Sequence, residues 1–457
     1  MLNPQKWPHF TRGRWIDGQI PSRAGPFCHD SRACHEGEVF LAIRTDRADG
    51  HSFLADAQHR GAVAAIVEQA QEINLPQFLV PSVLEAAKEL ACAQRLQWGD
   101  NGRRPLVAIG GSYGKTSMKD ILALLLGERT LATFENRNNI LGIVLTLSRL
   151  KEESHDRAVI EIGIDRPGEM SMAMKMVMPD VGIITGIAPV HVVNFKSLEQ
   201  LVEEKAQLLR CVKTSGGRIY FPSSCLCYAP FRTLADAATI TVSLSDKKRS
   251  LIFPSTELVH DFDTATSRLT LCYPKKVLEI YSLASMSHGQ VANMALAIGV
   301  AKDMGYAREY LQERMGQWQS STGRGQWKSY RRHRVYWDCY NANPVAMKDA
   351  VEFFHHETPC GRRIWILGGM RELGAYAEEA HRQLGQQLPV RSGDVVMGIG
   401  PEMAIAMEAI RERAESGVEV LYAETAVEAK EWVASREGIF FVKGSRFYAL
   451  EQLFGEI

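Results

Sequence analysis

Short apolar runs alternate with segments of helical spacing along most of the chain, which predicts strands and helices in turn. In the first block, "EVFLAI" and "AVAAIVE" predict buried strands, and "GHSFLADAQHRGA" between them predicts a helix ending at Gly61. "PSVLEAAKELACAQRLQW" predicts a second helix, and the polar stretch "GDNGRRP" at 99–105 predicts a linker. A second block opens with "LVAIGGSYGKTSMKDILALLLG", a strand, a glycine-rich turn and a helix. It continues with the strand candidates "RAVIEIGI" and "DVGIITGI", separated by the helical "GEMSMAMKMV". Residues 214–285 carry short β-rich runs ("RIYFPS", "TITVSL", "RLTLCYP"), and the helical "QVANMALAIGVAKDMG" closes the block. After "SSTGRG" at 320–325 a third block repeats the alternation, with "HRVYWDCY", "RRIWILGG", "DVVMGIG" and "GIFFVKGS" as strands. The alternation predicts an α/β protein with largely parallel sheets, in three domains at 1–102, 103–321 and 322–457.

Composition adds bounds to this picture. A chain of 457 residues accommodates two to four domains at roughly 100–200 residues each. Lys plus Arg equal Asp plus Glu, 53 each, so the bulk charge gives no reason to expect nucleic acid or a membrane surface as partner. A small anionic ligand needs only a local positive site. Nine scattered cysteines with no C-x-x-C pair fit a reduced, cytoplasmic chain. The start "MLNPQKWPHFTRGRW" has no apolar core of a signal peptide, and no apolar run approaches the roughly 18 residues of a membrane helix.

Several segments carry candidate chemistry, each with a plainer reading beside it. In "GGSYGKTSMK" the loop of Gly111, Ser112, Tyr113 and Gly114, followed by Lys115, Thr116 and Ser117, has the form of a phosphate loop. Backbone N–H groups of a tight turn at a helix start make an anion site. Ile109 stands where the full G-x-x-x-x-G-K-[ST] pattern wants glycine, so an ordinary turn with a solvated Lys115 is the competing reading. Glu161 in "VIEIGI" is either a carboxylate buried for a metal ion or one exposed at a strand end. His191, just past a strand, is either a ligand or a structural histidine. Lys205 lies within a helical pattern, where a lysine is usually solvated. "GIGPEM" offers Gly398-x-Gly400 with Glu419 about twenty residues on, but Met403 replaces the third glycine of a dinucleotide loop. "WDCYNANP" and "VKGSR" read equally as turns.

Taken together and in order, "DSRACHEGEVFLAI", "GGSYGKTSMK", "ENRNNILGIVLTL", "EIGIDRPGEM", "ITGIAPVHVVNF", "EEKAQLL", "DCYNANP", "LGGMRELG" and "VKGSR" resemble the Mur ligases over nearly the whole chain. The last three motifs favour the branch that adds D-alanyl-D-alanine to UDP-N-acetylmuramoyl-tripeptide, over its sister ligases and over folylpolyglutamate synthetase. The resemblance implies a small α/β N-terminal domain for the UDP-substrate, a central P-loop-type ATPase domain with a mainly parallel sheet, and a Rossmann-like C-terminal ligase domain. It implies ATP and Mg²⁺ as cofactors, the tripeptide nucleotide and D-Ala-D-Ala as small-molecule partners, and a monomer.

Residue by residue, the resemblance implies that residues 111–117 hold ATP phosphates, with Lys115 against their charge. Thr116 and Glu161 would serve one Mg²⁺ and His191 a second. Lys205 would carry a carbamate, turning a cation into a metal-binding anion. Asn293 would contact adenine, and Arg324 and Asp338 would reach phosphate and ribose. Asp30, Ser31 and Arg32 would lie near the uridine nucleotide. Asn138 and Asn139, in the Asn-rich segment, and Asn341, Asn343, Lys443, Ser445 and Arg446 would line the substrates. The chain departs from the family pattern at Gly110, Glu135, Gly289 and Gln290, which keeps open a divergent ligase joining another carboxylate and amine.

Overall fold

The structure, a computed structural model, describes residues 1–99, 104–189, 192–235, 239–244, 257–264, 266–273, 277–414 and 416–455. These pack as two units. One comprises Met1–Gly110, Leu122–Ile184 and Glu204–Tyr220; the other comprises Gly111–Ile121, Thr185–Glu203 and Phe221–Ile457.

The first unit holds two sheets. In the N-terminal one, Phe27–Cys28, Val39–Leu41, Ala64–Val67 and Gln77–Leu79 run parallel, and Arg14–Trp15 closes the far edge antiparallel to Gln77–Leu79. Val39, Ala64, Ala65, Ile66 and Phe78 have no exposure, as expected of parallel strands covered on both faces. The expected helix before Gly61 forms as a turn at Gly50–Phe53 and a helix at Leu54–His59. Gly61 then takes φ 95, the left-handed conformation that ends helices and suits glycine. The helix Val83–Gly99 is fastened by Arg95, which donates to the carbonyls of Val177 (3.0 Å) and Met178 (2.9 Å) and to Asp180 (3.0 Å).

The second sheet of this unit is all parallel, in the spatial order Arg218–Pro222, Val181–Ile184, Leu106–Gly110, Arg157–Glu161, Thr130–Ala132. Leu106–Gly110 is the first of these in sequence, yet later strands flank it on both sides. The strand order reverses at its C-terminal end, the place where open parallel sheets bind ligands. Glu161 is paired with Ile109, so its carboxylate sits at the same end.

The second unit contains Thr239–Leu244, Glu257–Asp263, Arg268–Tyr273 and Val277–Ser282, the first pair parallel and the rest antiparallel. It also contains a six-stranded sheet in the order Gln326–Tyr330, His333–Asp338, Ile439–Lys443, Arg363–Gly368, Val395–Ile399, Glu419–Ala423, parallel except at the Gln326–Tyr330 edge. One side of that sheet is aromatic: Phe354 packs edge-on to Trp365 at 4.8 Å, and Tyr336 stacks on Phe441 at 5.8 Å. The sequence pattern missed the short strands Thr130–Ala132 and Glu419–Ala423, whose residues are mostly half-buried and so lack a continuous apolar run.

A buried ion pair anchors the six-stranded sheet. Arg363 (0% exposed) donates from Nε and the terminal nitrogen to Asp394 (1% exposed), which also accepts from Trp365 Nε1 at 3.2 Å. Removing one member of such a pair strands a charge without water. Asp394→Ala is therefore expected to lower the unfolding free energy by about 3–5 kcal/mol, read from urea midpoints. A loss below about 1 kcal/mol would mean that Arg363 finds another partner.

Candidate active site

The glycine-rich turn leaves the buried strand Leu106–Gly110 and enters the helix Lys115–Leu126. Both loop glycines have backbone reasons to be glycine. Gly111 has φ 140, and a Cβ there would lie 2.2 Å from Thr185 Oγ1. Gly114 has φ 73, and its Cβ would lie 2.9 Å from the Asn293 amide nitrogen. These positions favour glycine on conformational grounds as well.

The loop is clamped by its neighbours. Ser112 donates from N to the Gly186 carbonyl (2.8 Å) and from Oγ to the Ala188 carbonyl (2.9 Å). Thr185 Oγ1 donates to the Tyr113 carbonyl. Asn293 Nδ2 donates to the Gly114 carbonyl at 3.1 Å, so the residue expected at adenine also fastens the loop. Lys115 Nζ donates to the Gly111 carbonyl at 3.0 Å, arching its charge over the turn. Thr116 is buried in the first helical turn and Ser117 is half-buried. Burial pushes the Tyr113 hydroxyl up to about 12, so it stays protonated at neutral pH.

Glu161 is 1% exposed, which removes the reading of a water-exposed strand end. Its Oε1 accepts from Asn138 Nδ2 at 2.6 Å, and its N–H donates to Thr133 Oγ1 at 2.9 Å. Asn138 is thus a partner of the carboxylate, and Gly163 lies so close that a Cβ there would meet Asn138 Oδ1 at 2.4 Å. Asn139 caps the helix Ile140–Leu147 by accepting from Gly142 N at 2.8 Å. Glu135, where the family pattern has glycine, takes φ 49, the conformation glycine would adopt with less strain.

Lys205 is 2% exposed on the helix Leu198–Thr214, not solvated as a lysine in a helical pattern usually is. An ammonium at that depth needs compensation by negative charge, or conversion to another group. The adjacent Glu204 caps the helix Glu169–Val177, accepting from Gly168 N and Met170 N at 2.9 Å each. His191 lies outside the described residues.

In the second unit, the Asp338 carboxylate accepts from Lys443 Nζ at 2.6 Å, and the same amine donates to the Asn341 carbonyl at 3.1 Å. Lys443 is 1% exposed, so it orients Asp338 and the Asn341 turn. Asn341 Oδ1 accepts from Ala342 N at 2.9 Å; Asn343 is buried and caps the helix Pro344–Glu357 by accepting from Ala346 N at 2.9 Å. Ser445 is buried and caps the turn Arg446–Tyr448, while Arg446 reaches Glu451 at 2.5 Å. Arg324 lies over the Tyr340 ring at 4.0 Å. In the first unit, Asp30 forks onto Arg32 at 2.9 and 2.8 Å, which holds its carboxyl down at about 2, and Ser31 between them is buried.

Two departures from the family pattern acquire a local account. Ser287 and Gln290 form a reciprocal cap at the start of the helix His288–Asp303. Gln290 also donates to Ser320 Oγ at 2.9 Å. Asp349 accepts from Ser287 Oγ (2.6 Å) and Gly289 N (2.9 Å), and a Cβ at 289 would meet its Oδ2 at 2.7 Å. Burial raises the Asp349 carboxyl above its usual range. The S-x-x-Q spacing was a signal available in the sequence for this cap; nothing in the sequence pointed to Asp349. The GIGPEM turn is filled from within: a Cβ at Gly400 would lie 2.3 Å from the Tyr448 ring, which occupies the space a dinucleotide would approach.

The geometry gives a clamped glycine turn at the start of the helix Lys115–Leu126 and, in the first unit, a buried carboxylate at the end of the strand Arg157–Glu161. Comparisons with known proteins identify the family. Three family models match consecutive segments: Mur ligase family, catalytic domain, over 28–98; Mur ligase middle domain over 109–301; and Mur ligase, glutamate ligase domain over 323–446. The chain belongs to the Mur ligase family. It is 28% identical to the UDP-N-acetylmuramoyl-tripeptide–D-alanyl-D-alanine ligase of Escherichia coli, over 93% of this chain and 91% of that one. With the Bacillus subtilis ligase of the same name it shares 26% identity over 93% and 91%. A crystal structure of MurF from Acinetobacter baumannii superposes with a TM-score of 0.81 at 25% identity, covering 99% of this chain and 97% of that chain. A Thermotoga maritima MurF solved with ADP shares the fold, at a TM-score of 0.75 and 23% identity over 94% and 96%.

The Asn138–Glu161 bond generates a prediction. Asn138→Ala removes a donor to a buried carboxylate and is expected to cost about 1–3 kcal/mol of stability, measured by urea unfolding. An unchanged midpoint would show that the carboxylate is held without Asn138.

Proposed function

We infer that this protein is an ATP-dependent ligase that joins D-alanyl-D-alanine to UDP-N-acetylmuramoyl-tripeptide, a step in making peptidoglycan precursors. The observation that carries the ATP chemistry is the clamped loop with Lys115, which leads from the strand Leu106–Gly110 into the helix Lys115–Leu126. The substrate pair follows from relatives of that name aligned over nine-tenths of the chain. The grounds for a different substrate pair weaken, because three of the four unusual residues serve local packing. Gly289 clears Asp349, Gln290 completes a cap, and Gly110 lies against Ile184 and Leu208, while nothing in the structure explains Glu135 at its left-handed turn.

In this reading the domains divide at 1–102, 103–321 and 322–457. The tripeptide carboxylate attacks the γ-phosphorus of ATP, giving an acyl phosphate and ADP. The dipeptide amine then attacks the acyl carbon, and phosphate leaves as the amide forms. Carboxylate and phosphate repel one another, so the chain has to supply positive charge where they meet. The loop N–H groups and Lys115 do so at the phosphates. Thr116 and Glu161 offer a hydroxyl and a buried carboxylate, hard oxygen donors that fit Mg²⁺; bound there, the ion would neutralise phosphate charge. His191 and Lys205, the latter as its carbamate, are the proposed holders of a second ion. Arg324 and Asp338, the latter held by Lys443, are the proposed contacts to phosphate and ribose. Asn341, Asn343, Ser445 and Arg446 shape the dipeptide side, and residues 30–32 the uridine side.

The test is ADP release with UDP-N-acetylmuramoyl-tripeptide, Mg²⁺ and ATP, with and without D-Ala-D-Ala, followed by the product mass. Release that depends on the dipeptide, with product heavier by one dipeptide less water, is expected. Lys115→Ala is expected to lower turnover by at least about 10²-fold, as loss of a charge stabilising the transition state does, with the unfolding midpoint kept. Full activity in that variant would overturn the role given to the loop.

A further inference from the structure

Away from this site, Cys28, Cys34 and Glu38 bring two thiol sulfurs and a carboxylate oxygen within 4.8 Å of one another. Cys28 ends the strand Phe27–Cys28, Cys34 follows the turn Ser31–Ala33, and Glu38 precedes the strand Val39–Leu41. All three are more than nine-tenths buried, at 7%, 5% and 5% exposure. Among the described residues this is the one group of three such donors.

We propose that Cys28, Cys34 and Glu38 bind a thiophilic divalent cation, with Zn²⁺ as the fitting ion. Zinc takes two sulfurs and a carboxylate in tetrahedral array, with donor–donor edges of roughly 3.5–3.8 Å. The cluster reaches that with a closure of about an ångström, leaving the fourth position for water. Charge balance favours the same ion. Glu38 Oε1 already accepts from Arg149 at 3.1 Å, and its Oε2 accepts from His35 N at 3.1 Å. The charges of two thiolates and one carboxylate are therefore matched by a divalent cation together with the Arg149 guanidinium. A ligating carboxylate held by outer hydrogen bonds is the usual arrangement around a protein metal. Without a cation, burial keeps both thiols protonated, Cys28 being pushed up to about 12. On binding, the two thiol protons leave to solvent as two metal–sulfur bonds form, with no change of oxidation state.

The cation would close the short chain segment that contains Asp30, Ser31 and Arg32. That consequence rests on the uridine-side reading of those residues; the metal site does not.

The experiment uses the full chain, reduced, stripped with chelator and kept free of oxygen. It is titrated with Co²⁺ as the probe, reading thiolate-to-cobalt absorption, and Zn²⁺ is then added in competition. One equivalent, with sulfur-to-metal absorption that Zn²⁺ abolishes, is expected. Cys34→Ser removes the absorption, Cys92→Ser leaves it, and Glu38→Gln keeps it while weakening affinity by at least about tenfold. Should Cys34→Ser fail to fold, Glu38→Gln and the Zn²⁺-induced rise in melting temperature carry the test. No sulfur-to-metal absorption at millimolar Co²⁺, or wild-type affinity in Glu38→Gln and Cys34→Ser alike, overturns the proposal. So does quantitative closure of Cys28 and Cys34 to a disulfide in air with no cation bound by the reduced chain. Metal binding without ligase activity would leave this site standing and count against the proposed function alone.

Discussion

A carboxylate that is 1% exposed at the end of a parallel strand is costly to bury, and much of the surrounding chain serves to hold it. Glu161 is fixed by the Asn138 amide on its oxygen and by Thr133 on its own N–H. Those bonds draw the segment after the loop helix against the end of the sheet. Gly163 has to be glycine for the amide to fit. One constraint therefore orders both the Asn-rich segment and the EIGI strand end.

The helix–turn–strand grammar was legible because long apolar runs and glycine stops are local signals. The loop was legible as a strand, a glycine turn and a helix, and its shortened spacing made sense once the other motifs were read in order. The depth of particular side chains was not legible. Lys205 and Lys443 stand in segments that admit a solvated lysine, yet both are buried, because burial is decided by neighbours distant in sequence. Asp338 and Lys443 are separated by 105 residues and meet only when the parallel strands that carry them pair. The same holds for Asp349 and the cap at Ser287, 62 residues apart. The GIGPEM turn, whose glycine spacing is incomplete, is filled by side chains of its own surroundings. Gly400 clears the Tyr448 ring and Gly398 the Met407 side chain, a need the local spacing cannot distinguish from a cofactor's.

Several residues that a motif reading assigns to ligands also hold backbone. Asn293 fastens Gly114, Asn139 and Asn343 cap helices, and Ser445 caps a turn. These bonds set the shape of the loop and turns in advance. A site whose shape is set in advance has fewer chain torsions to order on binding a small molecule. Lys115 resting on the Gly111 carbonyl belongs to the same economy of motion: its charge already lies over the turn.

The contact between Gly289 and Asp349 has a consequence for descent. The space a side chain would need at 289 is occupied by a carboxylate from a helix 60 residues further along. Position 289 cannot gain a side chain while the acid stays where it is. A lineage that regains a side chain at 289 must first shorten or move the acid at 349, and one that loses the acid frees 289 to change. The two sites form a single heritable character, and in related chains they should be found switching together.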